Sequence, residues 1–122
     1  QSALSLSRAN VVRGVRSAAH GRILSCMSGE FWAAVVDLRP ASPTFLRWDS
    51  VQLSSERRTW LYLPPHVGHG CMSLADGSSL LCMRLGAPDA STEISVNPFD
   101  PQLAIRWPGP VAGAADHIVS AA

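Results

Sequence analysis

An all-β fold is what this chain predicts, most naturally a two-sheet barrel of the jelly-roll type, with an open sandwich giving a similar pattern, and three observations predict it. Short apolar runs alternate with turn clusters along the chain, no segment sustains a helical apolar stripe for three turns, and the runs number eight. In order, the expected strands are Val11 to Val15, Arg22 to Met27, Phe31 to Leu38, Phe45 to Leu53, Thr59 to Leu63, Gly70 to Leu74, Ser79 to Leu85 and Leu103 to Trp107. The breaks between them carry their own chemistry. Ser28-Gly29 and the Asp76-Gly77 pair suit tight turns, Arg39 to Pro43 holds two prolines, and Pro64-Pro65 cannot donate to a ladder. Ala87 to Pro101, rich in Pro, Asp, Ser and Asn, reads as one long ordered loop. The small-residue tail after Trp107 reads as weakly structured apart from an anchor at Asp116.

A chain of 122 residues can bury one core and is too short for two ordinary ones, so a single domain over residues 1–122 is expected. Apolar residues at 47% and charged residues at 16% belong to a packed globular chain, and so little charge points to a face buried in an oligomer. A net charge of +1 offers nucleic acid no handle, and no window approaches the roughly 20 apolar residues of a membrane span. Small molecules and like subunits are the partners left. All ten basic residues are arginine, which removes every reaction that needs a lysine Schiff base or a lysine general base. Cys26, Cys71 and Cys82 form no CxxC and lie in apolar runs, as small buried hydrophobes do in a reducing compartment; a cytoplasmic location is expected.

His66 and His69 are spaced His-x-x-His, no Glu follows at a suitable distance, and successive strand residues face opposite sides, so no metal site is expected. His117 has no motif around it. Core packing accounts for most of the tryptophans and phenylalanines. Arg13, Arg16 and Arg22 fall on neighbouring expected strands, with Arg8 just upstream. Guanidinium forks in that arrangement suit a diphosphate, and the competing reading is a set of surface ion pairs.

Four segments resemble the dTDP-4-dehydrorhamnose 3,5-epimerase family of sugar-nucleotide cupins, in order and at nearly the right separations. They are Gln1 to Val15, Met27 to Trp48, Leu63 to Gly70 and Asp100 to Pro108. The second is the most specific: Gly29, Val36, Asp37, Leu38, Arg39, Ser42, Pro43, Thr44, Phe45 and Trp48 keep the skeleton of the family's G-x-x-x-D-x-x-V-D-[IL]-R-x-x-S-P-T-F-G-x-W string. The resemblance runs from Gln1 to about Asp116. It begins partway into the family's usual length, so the family's N-terminal region is expected to be missing.

The resemblance implies a double-stranded β-helix, a homodimer, no cofactor, and proton abstraction at C3 or C5 of a dTDP-linked 4-keto-6-deoxyhexose. It implies Gln1, Arg13, Arg16 and Arg22 as substrate-binding positions. The family's catalytic histidine falls on Arg16, its pocket lysine on Arg22 with His20 in a glutamine place, its catalytic tyrosine on Leu80, and an aspartate near the base on Ala33. Tyr62 matches a structural aromatic before the Pro-Pro turn. His69 keeps the family's second histidine, and Asp116 matches its late aspartate on spacing alone. An arginine stays protonated to about pH 12 and leucine donates no proton. The candidate catalytic residues are therefore His69, first as base, His20, second, and Asp116, which could pair with Arg16. Two functions stand: an epimerase, inactive or altered, and a non-catalytic nucleotide-sugar-binding or dimerisation module.

Overall fold

The computed structural model describes residues 2–86, 93–109 and 118–119, and the regular elements among them are strands. In chain order these are β1 (Ser2–Ser7), β2 (Val11–Ser17), β3 (Gly21–Ser28), β4 (Glu30–Asp37), β5 (Trp48–Ser54), β6 (Trp60–Leu63), β7 (Val67–Ser73), β8 (Ser78–Leu85), β9 (Ile94–Ser95) and β10 (Ile118–Val119). One sheet has the order β1-β8-β3-β6; the other runs β10-β2-β7-β4-β5, with β9 also paired to β2. Pairing is antiparallel except between β10 and β2. From β1 to β8 the chain changes sheet at every connection but the β4–β5 hairpin. That winding is the jelly roll of the cupin fold. Among the described residues no helix is long and apolar enough to cross a membrane.

The core follows from strand alternation. Phe31 and Ala33 of β4 point between the sheets, against Leu53 of β5, Leu24 of β3, Leu63 of β6 and Leu80 of β8. Phe31, Leu24, Leu53 and Leu63 are at most 2% exposed, and such side chains are each worth roughly 1.5–3 kcal/mol of burial. The outer face of the larger sheet is covered too. Val15, Val36 and Leu38 meet Leu103 where the segment after β9 folds back over it. Trp107 closes this layer, its ring 5.2 Å from that of Trp32 and its Nε1–H donating to the Pro98 carbonyl at 2.8 Å. Gly70 makes the room: a Cβ there would lie 3.0 Å from the Trp107 ring and 3.1 Å from the Arg13 carbonyl.

Seven of the expected strands correspond to β2 through β8; the departures have physical causes. Leu103 to Trp107 is no strand, because the Leu103 and Ala104 N–H groups both turn back to the Asp100 carbonyl, at 3.0 and 3.2 Å. β5 starts at Trp48 and not Phe45, since Phe45 and Leu46 belong to the turn before it. β1 escapes a search for core strands because its apolar side faces out, with Leu4 65% and Leu6 71% exposed on a sheet edge. Trp60 and Tyr62, each 55% exposed on β6, are likewise not core residues.

The most specific sequence string turns out to pin the β4–β5 turn. The Asp37 carboxylate accepts the Arg39 backbone N–H at 3.0 Å, Arg39 Nε–H at 2.9 Å, and the Ser42 and Thr44 hydroxyls at 2.5 Å each. These donors, Arg39 first, hold the carboxyl well below the usual carboxylate range. The Arg39 side chain is 48% exposed, so screening leaves the ion pair itself a small share, and the hydroxyl and backbone donors supply most of the stabilisation. Asp37→Asn is expected to cost about 1–2 kcal/mol in urea melts. A depressed carboxyl pKa stabilises the fold above the unfolded value and ceases to as pH falls through the folded one. The gap between wild type and variant should therefore be full at neutral pH and shrink below about pH 4.

Candidate functional site

Between the sheets lies a cavity of about 340 Å³, the size of a small-molecule site. Its cationic lining comes from three strands: Arg13 and Arg16 on β2, Arg22 on β3 and Arg84 on β8. In a regular strand, residues three apart point to opposite faces. Arg13 and Arg16 share the cavity because the register of β2 against β7 shifts between them, a bulge at Gly14. Gly14 has φ +113°, and a Cβ there would come within 2.6 Å of the Gly70 Cα, so only glycine fits. The arginines expected on neighbouring strands are thus corrected to opposite walls. Arg13 and Arg16 belong to the larger sheet, Arg22 to the smaller, and they face one space.

Arg22 is 5% exposed, and both of its terminal nitrogens meet protein atoms. Nη1 lies 3.0 Å from Nδ1 of His69, while Nη2 donates to the Val67 carbonyl at 2.7 Å and the Arg16 carbonyl at 3.3 Å. Burial, and next to it the Arg84 charge directly opposite on β8, lower its pKa from the ordinary arginine value. Like charges in register are costly. Glu93 offsets this by accepting from Arg84 Nη2 at 3.1 Å.

His69 sits mid-sheet on β7, opposite Arg16 of β2 on one side and Val35 of β4 on the other, and presents its remaining accessible surface to the cavity. A guanidinium can only donate, so Nδ1 is the acceptor, and in the neutral ring the proton is on Nε2. Burial first, then Arg22 and Arg16, hold the ring down to a pKa of about 3, and it is neutral at physiological pH. The base expected at His69 therefore meets a nitrogen already engaged. His66 is exposed in the turn before β7, so the His-x-x-His pair is split between surface and cavity. Among the described residues no three His, Cys, Asp or Glu side chains converge on one point.

His20 lines the cavity as a second, half-buried imidazole. Phe31, Leu80, Cys71 and Cys82 form the apolar part of the wall. Burial pushes the Cys71 thiol up to about 12 and the Cys82 thiol upward, so neither is a thiolate at neutral pH. Arg16 and Leu80, which the resemblance aligns with the family's base and acid, both border the cavity, whereas Ala33 is sealed in the core. Gln1 and Asp116 lie outside the described residues. Two charged cavity residues escaped the sequence reading. Arg84 alternates with Leu80 and Cys82 along β8, so period two alone would have found it. Glu93 stands in an irregular stretch with no such signal.

Among the described residues, four guanidinium groups stand against one carboxylate, beside a neutral imidazole and an apolar wall, a lining whose chemistry suits an anion that carries a less polar moiety. The family model for dTDP-4-dehydrorhamnose 3,5-epimerase matches residues 1–122. The dTDP-4-dehydrorhamnose 3-epimerase of Streptomyces niveus is 37% identical over 112 residues, 88% of this chain and 54% of that protein. The Mycobacterium tuberculosis RmlC epimerase superposes with a TM-score of 0.91 at 33% identity, over 99% of this chain and 62% of that one. An epimerase of Legionella pneumophila, solved in complex with dTDP-4-keto-L-rhamnose, gives 0.87 at 30% identity, over 99% and 64%. The chain spans about half the length of the curated relatives it matches. By sequence match along its whole length, and by the jelly roll it shares with these enzymes, the chain belongs to the dTDP-4-dehydrorhamnose 3,5-epimerase family.

Proposed function

We propose that this chain is a nucleotide-sugar epimerase unit acting on a dTDP-linked 4-keto-6-deoxyhexose, with chemistry altered from the family's two-centre reaction. The observation that carries this is the cavity with arginines on both facing walls. With the Arg22 fork held on protein atoms and Arg84 paired with Glu93, Arg13 and Arg16 on β2 supply the guanidinium groups that match diphosphate oxygens, and the apolar wall of Phe31 and Leu80 leaves a less polar space for a deoxysugar. A relative solved with dTDP-4-keto-L-rhamnose supports the ligand class. The reaction takes a proton from C3 or C5 beside the C4 ketone. With Arg16 and Leu80 at the positions the resemblance gives the family's base and acid, and with Glu93 held by Arg84, His20 is the imidazole on the described wall that can accept the proton, and Asp116 would pair with Arg16. General acid and base groups are worth ~10²–10⁴-fold each, so turnover is slow. A cytoplasmic location goes with this reading and with three free cysteines. Arg16 and Leu80 also favour the second reading, a module that binds the nucleotide sugar without turning it over.

Incubation with dTDP-4-keto-6-deoxyglucose in deuterium oxide, followed by mass spectrometry, is expected to show deuterium entering at C3 or C5 above the protein-free control. Arg16→Met should weaken dTDP binding about tenfold, near 1.4 kcal/mol, with a smaller effect in high salt. Binding without exchange selects the second reading; neither binding nor exchange overturns both.

We also propose that the unit works as a homodimer through the outer face of the smaller sheet. Register sets Leu4 across from Leu81, and Met83 and Tyr62 on either side of Ile23, so one apolar face runs over four strands from Leu6 to Trp60. Monomers rarely expose so continuous a patch. Light scattering should find a dimer that Leu6→Arg combined with Trp60→Arg converts to a folded monomer; a monomeric wild type overturns this.

A further inference from the structure

The contact between Arg22 and His69 is unusual in how completely both partners are placed by something else. Arg22 reaches from β3 of the smaller sheet to β7 and β2 of the larger one, with Nη2 on the Val67 and Arg16 carbonyls. Its Nε–H is buried without a partner among the described residues. On the other side, His69 has β2 and β4 hydrogen-bonded to its own strand and cannot shift along β7. The charged and titratable groups that share its cavity among the described residues are Arg13 and Arg16 from β2, Arg22 from β3, Cys71 on its own strand, Cys82 and Arg84 from β8, His20, and Glu93 paired with Arg84.

We infer that Arg22 is a positioning residue that locks His69 as the Nε2–H tautomer, making His69 a neutral hydrogen-bond donor to the ligand's carbonyl oxygen and not the site's proton acceptor. The ligand half of this rests on the cavity being the sugar-nucleotide site proposed above. When the C–H bond beside a ketone breaks, its electron pair forms the C=C bond of an enolate, the carbonyl pair moves onto oxygen, and the proton goes to a separate base. A fixed N–H aimed at that oxygen stabilises charge that develops only in the transition state. A neutral imidazole can do this without surrendering its proton, whereas a second cation on Nδ1 would face the Arg22 guanidinium 3.0 Å away. This chain contains no lysine, and a lysine ammonium could not serve a ring nitrogen and two carbonyls with one planar fork.

The test begins with wild-type protein carrying nitrogen-15 histidine, His69 being assigned by its loss in His69→Gln. Between about pH 5 and 8 the His69 ring should show an unprotonated Nδ1 and a protonated Nε2, with no titration. An Nδ1–H form, a tautomer mixture or a titration in that range overturns the inference. In Arg22→Met the lock should fail, giving mixed tautomers and a ring that titrates nearer the ordinary histidine range; should that variant not fold, the wild-type spectrum decides alone. Added dTDP-4-keto-6-deoxyglucose, with binding confirmed by calorimetry, should shift the Nε2 proton and leave Nδ1 unprotonated. Binding without that shift overturns the donor role, while absence of binding overturns the sugar-nucleotide reading and the ligand half with it. Glutamine can donate at the Nε2 position but cannot accept a proton. His69→Gln should therefore keep deuterium exchange within about tenfold of wild type while His69→Leu loses about a hundredfold or more. Equal and complete loss in both marks His69 as the base.

Discussion

A cation buried between two β-sheets has to find acceptors there, and the architecture of this protein around its cavity is organised by where Arg22 finds them. Its acceptors are two backbone carbonyls and a ring nitrogen, all on the opposite sheet. The cost of desolvating a guanidinium is met only if those three atoms stay put, which ties β3 to β7 and β2 at the cavity, where apolar packing is interrupted. Burial first, and this tie next to it, keep His69 a neutral ring. A packing requirement and an electronic property of the site are therefore one interaction.

The second constraint is the pair of glycines that face each other across β2 and β7. Gly14 lets the backbone bulge and come close to Gly70, and Gly70 in turn admits the Trp107 ring on the outer face. The inner consequence is that Arg13 and Arg16, three residues apart, enter one cavity. The outer consequence is that the segment after β9 packs as a third layer. Cationic lining and aromatic cover are thus two sides of one irregularity in a strand.

The residues of the most specific sequence string serve the scaffold. Asp37, Arg39, Ser42 and Thr44 survive as a closed hydrogen-bonding set on the β4–β5 turn, well away from the chemistry. The cavity wall, in contrast, carries Arg16 and Leu80 where the resemblance places a base and an acid. Each donor lost from that turn would leave a buried carboxylate oxygen unpaired.

Periodicity and turn chemistry were enough to read seven strands, because a core strand announces itself by apolar alternation and its ends by Gly, Pro and Asp. They could not reveal β1, whose leucines point outward, or the turn at Leu103, where local carbonyls win over a ladder. By itself the sequence determined the jelly roll, the family, the lack of any lysine chemistry and the presence of His20 and His69 as imidazoles. Tertiary structure alone decided that Arg13 and Arg16 share a face, that Arg22 and Arg84 stand opposite one another, and that Nδ1 of His69 meets the Arg22 guanidinium. The reason is physical: a strand's side-chain direction is local and repeats every two residues, whereas a bulge, a cross-sheet hydrogen bond and a tautomer depend on atoms far apart in the chain.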